Sequence, residues 1–253
     1  MLLRRIIEHV RSQNWTAIGI DFVIVVVGVF IGIQAANWNE VRAEDARARE
    51  VLERLRDDLQ SDLENFDQRM QFWQQVRDYG LSGLDYVDDP SPEAEEAWPA
   101  ILAFFQASQV GEFFTNSGTF DELRSAGELS LVRDVGLRNA LSGYYLEASN
   151  PSLTERPAYR EHVRGRIPID MQTYIWERCY ESTVDAGQYL IDCPSPVSDD
   201  EAAAIALAIA TDEELMGELR YWTSGMLVVR MIGQNRIDRA KNALALVEEA
   251  MAN

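Results

Sequence analysis

Histidine and cysteine decide what chemistry this 253-residue chain can hold, and it has two of each. His9 lies near the amino terminus, which leaves His162 alone in the body of the chain. A histidine-based metal site or a nucleophile–histidine–acid triad draws on more than one lone imidazole with its orienting partners. His162 stands among Arg160, Glu161 and Arg164 and reads as a solvated helix-face residue. The phosphate-cradling glycine loop, the G-x-S-x-G elbow and the S-x-x-K pair are missing from the sequence. Carboxylates are plentiful, yet a di-iron bundle site wants Glu-x-x-His on two helices, and that motif is also missing. These residues therefore point away from an enzyme, and no catalytic residue, metal ligand or cofactor is assigned.

Cys179 and Cys193 have thirteen residues between them, too many for a C-x-x-C redox pair and too few partners for zinc. In an oxidising compartment they read as a structural disulfide, worth about 3 kcal/mol through restriction of the unfolded chain. Two separately buried thiols are the alternative. Arg156, Arg160 and Arg164 recur at four-residue spacing, which on a helix sets three guanidinium forks on one face. That stripe could recognise a carboxylate or phosphate. Its plainer reading is pairing with neighbouring acids, because the chain carries 42 Asp and Glu against 23 Lys and Arg. The resulting net charge of −19 argues against nucleic acid as a partner, since phosphates need a basic footprint. It equally opposes adhesion to anionic headgroups.

The elements that must position these residues begin with a membrane segment. Ala17 to Ala36 reads AIGIDFVIVVVGVFIGIQAA, long enough as a helix to cross a hydrocarbon core of about 30 Å. Trp15 and Trp38 bracket it at the levels where indoles settle. A cleavable signal peptide, with Arg4, Arg5 and Arg11 as its basic region, is the competing reading, but the apolar run is too long for it and Ile33-Gln34-Ala35-Ala36 is a poor cleavage site. We divide the chain into a cytoplasmic tail (1–15), a transmembrane helix (16–38) and a helical periplasmic domain (39–253). The arginines on the two flanks nearly tie, so orientation rests on length: a short tail is retained and a long body is exported. The bilayer of a bacterial inner membrane is thus the first expected partner. Gly28, Gly32 and Ala36 form a small-residue face that lets another helix approach closely, and Asp21 sits within the apolar run. A homo-oligomer or a membrane-protein partner is the expectation that follows. No second span is expected, because Ala202–Ala210 is too short and Gly225–Gly233 contains Arg230.

Beyond the membrane the period is helical. Leu52, Leu55, Leu59, Leu63, Phe66, Met70 and Trp73 recur every three or four residues, predicting a helix to about Gly80 that continues the transmembrane segment as one rod. Ser91-Pro92 should start a helix that Pro99 interrupts. Capping boxes begin at Thr119, Ser198 and Thr211, Asp134 can cap another helix ending near Asn150, and Gly127 can close a short one. A short hairpin is expected near Gln188–Asp192. The apolar series from Leu215 to Val247 predicts a last helix of over thirty residues, antiparallel to the first. The fold class is therefore all-α: one N-terminal transmembrane helix continuing into a long helix of a helical bundle.

Several of these segments carry a resemblance. Gly19-Ile20-Asp21, Gly32-Ile33-Gln34 through Asn37-Trp38-Asn39-Glu40, Thr119 through Leu129, Leu137-Arg138-Asn139-Ala140-Leu141 and Tyr144-Tyr145 resemble an uncharacterised bacterial domain-of-unknown-function family, family 6090, of N-terminally anchored single-pass proteins. The resemblance covers roughly residues 15–60 and 115–146 and implies architecture and location, with no catalytic residue. Two roles remain: a membrane-anchored structural or interaction protein, and a periplasmic ligand-binding sensor that signals through a partner.

Overall fold

A computed structural model describes residues 15–88, 94–111, 114–146, 156–183 and 187–252. The chain separates into two units, Met1–Val51 and Leu52–Asn253. One continuous helix, α1 (Trp15–Asp88), supplies the described part of the first and the opening element of the second. No proline or glycine pair breaks the stretch between them, so the backbone ladder is never interrupted. The helix runs past the expected stop at Gly80 because Leu84, Tyr86 and Val87 still pack on the core.

The second unit is a helical bundle. After α1 come α2 (Ala94–Ala107), α3 (Gly118–Ala126), a 3-10 turn (Leu129–Leu131), α4 (Val135–Tyr145), α5 (Ala158–Arg166) and α6 (Ile169–Arg178). A two-stranded hairpin follows, β1 (Tyr180–Thr183) and β2 (Gly187–Leu190), then α7 (Asp199–Ala210) and α8 (Glu213–Ala252). The strands pair antiparallel with Tyr180 opposite Leu190 and Thr183 opposite Gly187, whose φ of 75° suits a residue without Cβ.

Helix α2 does not stop at Pro99, which sits inside it. The lost backbone hydrogen bond is outweighed by Ala97, Trp98, Ile101, Leu102, Phe104 and Phe105, all buried; each large member contributes about 1.5–3 kcal/mol. Helix α2 packs on α7, α4 and α5 pack on α8, and α2 also meets α5. The long helices run antiparallel: Gly233 lies beside Met70 and Trp73, Gly80 beside Thr223, and Gly83 beside Leu219.

The helix ends differ from expectation in two places. Helix α3 begins at Gly118 with Ser117 at its cap, where Ser117 Oγ donates to Asp121 at 2.7 Å, and Thr119 is buried in the first turn. Helix α8 is capped by Asp212, which accepts from Leu215 N at 3.2 Å, while Thr211 Oγ1 donates back to Leu207 O and closes α7. Asp134 and Ser198 cap α4 and α7 as read from the sequence, and Gly127 ends α3 with φ 72°. The expected Ser91-Pro92 start and the region around Asn150 lie outside the described residues. Within them, α4 ends at Tyr145.

Candidate functional site

Along α1 the buried positions of the bundle include Leu52, Leu55, Leu59, Asp62, Phe66, Phe72, Trp73 and Val76. An aspartate thus occupies a core position of the helical period, and the neighbouring Leu63 is only half-buried. Asp62 is fully buried because its two oxygens are supplied with donors. Tyr144 Oη donates to one at 2.7 Å and the Asn116 backbone N–H to the other at 2.7 Å. Asn116 Nδ2 also donates to Ser61 Oγ at 3.0 Å. The carboxylate therefore ties α1 to the loop before α3 and to the end of α4. Burial pushes the Asp62 carboxyl above its ordinary value, against the two hydrogen bonds, which favour the ionised form.

Aromatic packing surrounds that acid. Tyr145 stacks on Phe120 of α3 with ring centroids 5.0 Å apart, and Tyr144 meets Tyr145 edge-on at 4.7 Å. Burial raises the Tyr144 and Tyr145 phenols far above their ordinary value, so neither supplies a phenolate. The Tyr145 hydroxyl and one oxygen of Asp58 are buried without a hydrogen-bond partner among the described residues. Chemically the cluster holds segments together. It presents no activated nucleophile.

A second polar cluster closes the C-terminal end of α2. Arg160 donates to Ser108 O at 2.6 Å, while Arg164 Nε donates to Ser108 Oγ at 2.9 Å and its Nη2 to Gln109 Oε1 at 3.0 Å. The Arg164 guanidinium also stacks over Phe105 (4.6 Å) and Trp176 (5.2 Å). Gln109 donates to Gln106 Oε1 at 3.2 Å, and Gln106 donates to Cys179 O at 2.7 Å. Cationic groups at a helix C-terminus meet the negative end of its dipole. Burial, reinforced by Arg160, lowers the Arg164 pKa from the ordinary arginine value. Of the three-arginine stripe, Arg160 and Arg164 are thus joined to the protein's own amides and hydroxyl, and Arg156 lies exposed ahead of α5. The neighbouring Arg166 pairs with Asp212 at 2.7 Å.

Cys179 and Cys193 form a disulfide with Cα atoms 5.3 Å apart. It clips the hairpin between α6 and the segment leading to α7. Gln75 of α1 donates to Leu190 O at 3.0 Å and accepts from Leu190 N at 3.1 Å, pairing with β2 as another strand would. Trp98 Nε1 donates to Cys193 O at 2.6 Å, fastening the same clip to α2.

The apolar start of α1 is different in kind. From Phe22 onward the helix is long and apolar enough to cross a membrane, with a mean hydropathy of 1.8 over its best window and none of that window buried. Space is open around Gly28 and Gly32. Asp21 lies in α1, and its side chain is outside the described residues, as are those of residues 15–19. His162 is exposed, and its Nδ1 meets Glu218 at 2.8 Å, which raises the imidazole pKa. Among the described residues no three His, Cys, Asp or Glu side chains converge as metal ligands.

These features define an all-α protein in which one long helix carries a bare apolar segment and then organises a bundle closed by buried polar clasps. The chain matches the family of unknown function DUF6090 over residues 21–153 and belongs to that family. The Asp62, Asn116 and Tyr144 clasp falls inside the matched stretch; Arg160, Arg164 and the disulfide fall beyond it. No curated protein and no solved structure matches the chain.

Proposed function

We propose that the protein is a membrane-anchored structural or interaction protein that presents its helical bundle on the periplasmic face of a bacterial inner membrane, with the amino terminus in the cytoplasm. One observation carries the reading. The apolar window of α1 is wholly bare, whereas the apolar series beginning at Leu52 is consumed by the chain's own bundle. Bare apolar surface on that scale is stable in lipid, where every backbone group of a helix is satisfied internally. The free face of Gly28, Gly32 and Ala36 then supplies the place where a second copy or a membrane partner packs.

The test is placed in the membrane, where the chain has no second apolar helix of its own among the described residues. Gly28→Ile with Gly32→Ile should abolish crosslinked oligomers or co-purified membrane partners, with insertion and the bundle's circular dichroism retained. Unchanged assembly would make the small-residue face incidental and turn attention to the ligand-binding sensor. That second reading needs an enclosed pocket of about 300–1,000 Å³. The polar cavity beside Arg69, Phe72 and Gln188 measures about 200 Å³, below that range, and the groove of about 410 Å³ beside Tyr159 and Trp222 has the volume but stands open to solvent.

A further inference from the structure

A groove of about 410 Å³ lies where α5 meets α8, floored by Tyr159 and Trp222 and walled by Pro157, Glu214, Glu218 and Tyr221. Its two floor aromatics have turned their polar atoms inward. Tyr159 Oη donates to Phe104 O at 2.9 Å and Trp222 Nε1 to Ala107 O at 2.8 Å. What these buried rings offer the groove is therefore hydrocarbon, with no hydrogen bond to water forgone when it is covered. Glu214 and Glu218 stand one turn apart on the α8 wall. Glu218 engages His162, Glu214 forms no ion pair among the described residues, and no lysine or arginine lines the groove.

The same helix continues the surface. Gly217, Tyr221, Ser224, Val228 and Met231 recur at spacings of four, three, four and three and are all exposed, Tyr221 at 74% and Met231 at 67%. Leu227, 46% exposed, and the exposed Arg220 flank them on the side away from Glu214 and Glu218. An uncharged stripe of this period on a soluble face fits the apolar side of another helix. Its neighbour, the groove walled by Glu214, Glu218 and the exposed Tyr221, fits a cation, which gains from the two carboxylates.

We propose that the groove and stripe form one docking surface for a basic amphipathic helical segment of a partner protein, its apolar side on Val228 and Met231 and a lysine or arginine between Glu214 and Glu218. Charge complementarity selects this occupant. A second copy would add another net charge of −19 and a second Glu214–Glu218 pair, and an anionic lipid surface would be repelled. The inference deepens the interaction-protein reading by naming the partner's chemistry.

The full chain in nonionic detergent is titrated with a labelled helical peptide bearing leucine at i, i+3, i+4 and i+7 and arginine elsewhere, and with the same peptide carrying glutamate for arginine. The basic peptide should bind saturably and the acidic one should not. Glu214→Lys with Glu218→Lys should weaken binding by about tenfold or more. Glu177→Lys with Glu181→Lys, an equal change of net charge at exposed positions away from the groove, should leave it within about twofold. Met231→Ser should weaken it several-fold, and Glu214→Gln with Glu218→Gln gives the milder variant should the reversal unfold the bundle. Equal weakening by both reversals, or by neither, overturns the proposal, as does a homodimer crosslinked through the stripe. Such a failure leaves the membrane assembly tested at Gly28 and Gly32 untouched, so the two readings fail separately.

Discussion

Asp62 and Arg164 are both charged side chains withdrawn from water, and the bundle treats them in opposite ways. Asp62 stands at a core position of α1, wholly covered, with two donors from two other segments. Arg164 is half-buried, sets its guanidinium over the rings of Phe105 and Trp176, and spends its N–H groups on the end of α2. A carboxylate has only acceptor oxygens and must be brought donors; a guanidinium has five donors and an apolar face, so it can lie on rings and still reach its acceptors. Burial accordingly organises the chain around Asp62, whereas Arg164 completes a helix end that already exists.

The largest expected effect follows from that asymmetry. Asp62→Ala leaves the Tyr144 hydroxyl and the Asn116 N–H without their acceptor in a closed core and should cost about 3 kcal/mol. Arg164→Ala should cost less, about 2 kcal/mol, because Arg160 still reaches Ser108 and Gln109. Chemical denaturation of the full chain in detergent reads both, and equal losses would erase the distinction drawn between the clasps.

The two adjacent tyrosines sharpen the comparison within one clasp. Tyr144→Phe removes a donor from a buried carboxylate and should cost about 1.5 kcal/mol. Tyr145→Phe removes a buried hydroxyl that has no partner among the described residues, so stability should hold or rise by up to about 1 kcal/mol. A matching loss in both variants would mean that the Tyr145 hydroxyl is bonded in solution.

The smallest effect is one of sign. The folded value of Asp62 is raised, chiefly by burial, so its contribution is fully present below the ordinary value of 3.8 and is lost as pH rises through the folded value. The stability difference between the native chain and Asp62→Asn should therefore narrow as pH rises from about 3 to about 7. Asp212 behaves oppositely: its hydrogen bond from Leu215 N, and then Arg166, lower its value, so its contribution is present above 3.8 and lost on acidification. Denaturation midpoints across that range should move in opposite directions for Asp62→Asn and Asp212→Asn, each relative to the native chain. Parallel movement would contradict the assignment of burial as the cause at Asp62.

Periodicity alone carried the long elements. The bare apolar run, the unbroken helix α1 and the long α8 are legible because hydrophobic spacing and the lack of breakers act locally along one helix, and the antiparallel pairing of α8 with the part of α1 from Leu52 onward follows from their matching lengths and apolar faces. The caps at Asp134 and Ser198 and the left-handed Gly127 are legible for the same reason. Pro99 shows where local reasoning stops, since its cost is fixed by the backbone while the compensating burial of Trp98, Phe104 and Phe105 comes from other helices. The polar clasps lie wholly beyond such reasoning. Asp62 left one trace, an acid between Leu59 and Phe66 on the apolar period, but its partners Asn116 and Tyr144 stand 54 and 82 residues away. The arginine spacing was visible, yet only packing decided that two of the three would meet Ser108 and Gln109 before any outside anion. Helical pattern is written in neighbours three and four residues apart, whereas a buried hydrogen bond is decided by which distant groups the closed core brings within reach of each other.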